Sequence, residues 1–128
     1  MGACLGALAM LWLAGCGSAS EESAHDAADR FVSALGSGDA GQACELLAPD
    51  TVSVLESLRP EGCQQALPSL DLSGDQVTEV RVWGDAAQAR SAKDVLFLRE
   101  LSDGWRVIAA GCQPRGESEP YECELGGS

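Results

Sequence analysis

The stretch Asp94-Val95-Leu96-Phe97-Leu98-Arg99-Glu100-Leu101-Ser102-Asp103-Gly104-Trp105-Arg106-Val107-Ile108 decides the fold. Val95 to Leu98 is apolar without a break, so a strand there shows apolar side chains to both faces, as a central strand does. Ser102-Asp103-Gly104 is a hairpin signal, because Asp-Gly tolerates the positive φ that a tight β-turn demands. Trp105 to Gly111 then returns as the partner strand. Toward the N-terminus, Ala87-Gln88-Ala89-Arg90-Ser91 alternates small and polar residues. Before it, Gln76 to Trp83 is rich in Val with period two and stops at the turn residues Gly84-Asp85. Toward the C-terminus, Cys112 to Cys123 encloses a loop with Pro114, Gly116 and Pro120. Tyr121-Glu122-Cys123 is expected as a short edge strand, and Glu124 to Ser128 is expected to fray.

Ahead of the strands the period is helical. Ser23 is the expected cap of a first helix whose Ala24, Ala27, Ala28, Phe31 and Leu35 form one apolar stripe. Gly36-Ser37-Gly38 stops it. Asp39, with Gln42 three residues on, opens a short second helix that buries Ala40, Ala43, Cys44 and Leu47, and Pro49 prevents its continuation. Asp50 is the expected cap of a third helix carrying Val54, Leu55 and Leu58 on its apolar side. Pro60 begins a further helical turn through Cys63, Ala66 and Leu67, ended by Pro68. Helices followed by an antiparallel meander predict an α+β fold, with N-terminal helices packed on a curved antiparallel sheet.

The composition removes whole classes of partner. The 128-residue chain sets 20 Asp and Glu against 8 Lys and Arg, a net charge of -12, which repels the phosphate backbone of nucleic acids. With 45% apolar residues it can bury a core. A single His and a single Tyr leave little for acid-base chemistry. There is no Ser-His-Asp set, no Gly-rich phosphate loop and no cofactor motif, so no catalytic residue or cofactor is assigned.

Residues 1–15 carry no charged side chain, and Ala3 to Leu13 is almost wholly apolar. As a helix that run would span about 16 Å, well short of a membrane core of about 30 Å, and it matches the apolar region of an export signal. It ends in Leu13-Ala14-Gly15-Cys16, followed by Gly17-Ser18-Ala19-Ser20. Those residues resemble the bacterial lipobox, although no Lys or Arg precedes the apolar run. The resemblance implies that residues 1–15 are a lipoprotein signal peptide, that Cys16 is lipidated, and that the domain is anchored outside the cytoplasm. Residues 16–23 are then expected as lipidated Cys and tether, and residues 24–128 as one domain. Glu21, Glu22, Asp26 and Asp29 beside the anchor would hold it off anionic headgroups.

Cys4 leaves with the signal peptide, and Cys44, Cys63, Cys112 and Cys123 remain for disulfides. Of three possible connectivities, Cys44–Cys63 with Cys112–Cys123 is favoured, because each pair falls inside one local supersecondary unit. The 18, 48 and 10 residues between successive cysteines contain no zinc knuckle, so no metal site is expected.

The order of elements, with Phe31-Val32-Ser33-Ala34-Leu35 leading to Gly38-Asp39-Ala40 and with Asp103-Gly104-Trp105-Arg106-Val107, resembles the nuclear-transport-factor-2-like cone, also called the cystatin-like α+β fold. Gly111-Cys112 and Tyr121-Glu122-Cys123 resemble those of small lipoproteins from high-GC Gram-positive bacteria. The resemblance implies a non-enzymatic, envelope-anchored domain that binds a protein partner or a small apolar ligand. Phe31, Trp83, Phe97 and Trp105 are the aromatics available to line an apolar pocket at the mouth of the cone, or else to fill its core. The superfamily also holds isomerases and dehydratases. The alternative is therefore an enzyme acting on a small hydrophobic substrate, with Asp94 or Tyr121 as its acid-base group.

Overall fold

The computed structural model describes residues 16–126, with side chains from residue 19 onward. The expected signal peptide and the side chain of Cys16 lie outside the described residues. Helices α1 (Cys16–Ser37), α2 (Ala40–Glu45), α3 (Pro49–Leu58) and α4 (Cys63–Ala66) and a 3-10 turn (Leu67–Ser69) precede strands β1 (Glu79–Trp83), β2 (Ala86–Arg90), β3 (Val95–Leu101), β4 (Gly104–Gln113) and β5 (Glu122–Gly126). The strands form one antiparallel sheet in the order β1-β2-β3-β4-β5, so the apolar β3 is the central strand its sequence predicts. Among the described residues no helix is long and apolar enough to cross a membrane.

The helices cover one face of the sheet. Ala24, Ala27, Ala28, Phe31 and Val32 of α1 join Val80, Ala87, Ala89, Leu96, Leu98, Val107 and Leu125 in one core. Phe31, Leu67, Leu98 and Val107 are fully buried there and fill the space between helices and sheet. The Asp39 cap forms as its sequence implies, its carboxylate accepting from the Gln42 N–H at 3.1 Å.

Besides β1, which starts at Glu79 and not at Gln76, four differences from the sequence reading bear on the packing. First, residues 17–23 belong to α1 rather than to a tether, and Ser23 is an exposed mid-helix residue. Ala19, Glu21, Glu22 and Ala24 are good helix formers, and Ala24 is fully buried, so extending the helix costs little. Second, Ala48 rather than Asp50 caps α3, because Pro49 has its φ preset for the first helical position; Asp50 instead complements the helix dipole in the first turn. The face that α3 buries is Thr51 and Leu55, pinned where the Thr51 hydroxyl donates to the Ile108 carbonyl at 3.2 Å. Val54 and Leu58 consequently face solvent. Third, α4 begins at Cys63, after Gly62 with φ 96°, and not at Pro60. Fourth, the C-terminal residues are tied down through Gly126, because Leu125 pairs with Ala110 and is buried in the core.

Both disulfides have the favoured connectivity. Cys44–Cys63 ties α2 to the start of α4, and Cys112–Cys123 joins residues in register on β4 and β5. Such bonds persist in oxidising compartments.

The sheet is bent by irregular pairing. The β3–β4 register shifts between Val95 and Phe97 and again between Phe97 and Leu98, and such bulges increase local twist. At Gly111 (φ 66°) the alternation of faces breaks: Ala110 belongs to the helix-side core, whereas Cys112 belongs to a cluster with Val95 and Ala109. A Cβ at residue 111 would stand 2.9 Å from Leu72 Cδ2 and 3.0 Å from Glu124 Cβ. Gly111→Ala is therefore expected to cost about 2–4 kcal/mol from the left-handed backbone and crowding together, read as a lower urea midpoint at unchanged m-value.

Candidate functional site

The helix-free face of the sheet follows from register. Val80, Ala87, Ala89, Leu96, Leu98, Trp105 and Val107 point to the helices, so the residues alternating with them point away. One row across the strands is Trp83, Ala86, Arg99 and Arg106; the next is Arg81, Gln88, Phe97 and Ala109; a third runs Glu79, Arg90, Val95, Cys112 and Cys123. Arg81, Arg90, Arg99 and Arg106 thus share one face of a chain that has only 8 Lys and Arg.

The charges on this face are incompletely matched. Arg81 Nε donates to Glu79 Oε1 at 3.1 Å, and Arg106 Nη2 donates to Asp103 Oδ2 at 3.0 Å. Arg99 lies directly opposite Arg106, a like-charge pairing that destabilises a sheet unless an anion comes between. Among the described residues, no carboxylate lies within 4.0 Å of the Arg90 or Arg99 guanidinium. Trp83 stands at the edge of the same row, 57% exposed. Aromatic and Arg side chains are the residue types that anchor protein interfaces.

The four sequence-selected aromatics are not brought together. Phe31 and Trp105 are core residues beneath the helices. Phe97 packs on the opposite face, its ring edge-on to Tyr121 with centroids 5.2 Å apart. Trp83 is exposed, so these side chains do not line a common pocket. The indole Nε1 of Trp105 is buried without a hydrogen-bond partner.

The two acid-base candidates are also separate. The Asp94 carboxylate accepts from the Ser91 hydroxyl at 2.9 Å and closes the β2–β3 turn, beside a polar cleft of about 400 Å³ that also holds Asp71, Asp75 and Lys93. The Tyr121 hydroxyl accepts from Gln88 Nε2 at 3.3 Å and borders a different cleft. His25 lies 3.5 Å from Asp29, one turn on along α1, and both side chains are partly exposed.

No family model, curated protein or solved structure matches the chain. A functional reading therefore rests on the chain's own sequence and surface. The arginine face went unread in the sequence. Two of the four arginines on this face stand between apolar residues in strand alternation, Val80-Arg81-Val82 and Trp105-Arg106-Val107, whereas Arg90 precedes Ser91 and Arg99 precedes Glu100. That alternation was the available signal.

Proposed function

We propose that the chain is an extracytoplasmic lipoprotein held at the membrane by acyl chains on Cys16. In this reading its α+β domain is a nuclear-transport-factor-2-like cone and a non-enzymatic module that binds a protein partner of the cell envelope. The observation that carries it is a domain braced by two disulfides directly behind a lipobox-like sequence. Two or three acyl chains would give stable anchoring where one would not. The filled interior around Phe31, Leu98 and Val107 favours a protein partner over a small apolar ligand. The arginine face with exposed Trp83 supplies the surface such a partner needs.

Cys16→Ser is expected to release the protein from the membrane fraction or to accumulate unprocessed precursor. Unchanged retention with normal processing would refute the anchor. Cross-linking of the anchored form in native membranes tests the partner, and recovery of monomer alone would count against this reading.

A further inference from the structure

A groove of about 830 Å³ is lined by every residue from Thr78 to Trp83, together with Glu21, Glu22 and His25. Side chains of consecutive strand residues point to opposite faces, so a cavity touching all of them runs along the strand's edge and not across a face. Its far wall is α1, where Glu21, Glu22 and His25 fall on one side of the helix.

The hydrogen-bond pattern says which peptide groups meet the groove. Glu100 N donates to Asp85 O at 2.7 Å, which continues the Ala86–Arg99 register and marks a hydrogen-bonded pair. Alternation then turns Ala87 and Ala89 toward β3, and Ala86, Gln88 and Arg90 toward β1. Their partners Trp83, Arg81 and Glu79 bond inward, so the N–H and C=O groups of Val80 and Val82 are directed out into the groove. Among the described residues no main-chain hydrogen bond from outside the sheet reaches either valine. β4 differs, because its Val107 N–H and C=O are taken by Leu46 and Ala48 of the α2–α3 link.

We propose that this groove docks an extended, basic segment of a partner protein, which adds to β1 as a sixth strand; the idea rests on the partner-binding reading above, adds to it a second surface beside the arginine face, and is independent of the lipid anchor. Main-chain bonds to Val80 and Val82 supply register, and pockets for alternate side chains supply choice of sequence. The lining holds Glu21, Glu22 and Glu79 against Arg81 and His25, and Arg81 is already paired with Glu79. Cationic side chains of the added strand therefore face α1, while its alternate residues lie beside Trp83. A second copy of this chain is a poor occupant, because β1–β1 pairing would set two Glu21-Glu22 walls and two domains of net charge -12 against each other.

The test uses the full chain and a capped peptide of about eight alternating lysines and valines, with hydrogen exchange followed residue by residue by NMR. The peptide is expected to protect the amides of Val80 and Val82, and a glutamate-valine peptide is not. Val82→Pro removes one outward donor without touching a β1–β2 bond and is expected to weaken binding about tenfold. Glu21→Lys with Glu22→Lys should weaken it similarly and flatten its salt dependence. If these amides are already protected in the free chain, the groove is filled by a second copy or by the chain's own N-terminal residues, and the proposal fails. It fails too if Val82→Pro, folded with both disulfides intact, binds the peptide as the parent does. Equal cross-linking of a membrane partner by parent and Val82→Pro would reject the groove while leaving the partner-binding reading in place.

Discussion

Phe31→Ala is expected to destabilise the folded chain by about 3–5 kcal/mol, a large share of the roughly 5–15 kcal/mol that holds a typical domain together. Phe31 is fully buried on α1 and packs in the core that joins this helix to the sheet. Ala24, Ala27, Ala28 and Ala34 carry single methyl groups, so the ring is the largest side chain that α1 buries in the core. Truncation leaves a cavity that the alanines cannot collapse into, and the loss includes that cavity as well as the transferred area. Urea unfolding followed by circular dichroism measures it. Trp83→Ala is the internal comparison: more than half exposed at the end of β1, it should shift stability by no more than about 0.5 kcal/mol. Similar losses for both would mean that the burial described for α1 is wrong.

Replacing Cys44 and Cys63 together by serine should remove about 3 kcal/mol, the loop-closure entropy for a separation of 19 residues. The effect is expected to concentrate in α4. A helix of only Cys63–Ala66 cannot sustain itself, and its first residue is the one held to α2 by the bridge. The Ala66 N–H, which donates to Gly62 O at 2.9 Å, reports on this turn directly. Its hydrogen exchange should accelerate well before global unfolding, while amides of β3 keep their protection. Uniform acceleration across the chain would show instead that the bridge supports the whole domain.

The meander was legible because its strands carry their own punctuation. Gly84-Asp85 and Ser102-Asp103-Gly104 fall between period-two runs, and the unbroken Val95 to Leu98 run marks the centre of the sheet. The disulfide pairing was legible for the same reason, since each pair lies within one unit. The aromatic pocket was not. Val95-Leu96-Phe97-Leu98 is apolar on both faces, so the sequence cannot say that Leu96 and Leu98 meet the helices while Phe97 turns to Tyr121. The arginine face needs still more, because Arg99 meets Arg106 only once the hairpin closes at Leu101 and Gly104, and Arg81 and Arg90 share their face only through two further strand pairings. The buried side of α3 was not legible because a polar residue, Thr51, takes the inward place beside Leu55 while the apolar Val54 and Leu58 face solvent.

The nearest-neighbour order of the strands bears on how quickly the chain reaches its structure. Every strand pairs with the one before it, through turns of a few residues except at the loop between β4 and β5, and each sulfur finds its partner 19 or 11 positions away. Such local pairing favours fast formation of the meander, whereas docking α1 on β4 closes a much longer loop. Oxidation can then proceed in either sequence, each crosslink sealing a hairpin or helical pair that has already closed, with little call for thiol reshuffling.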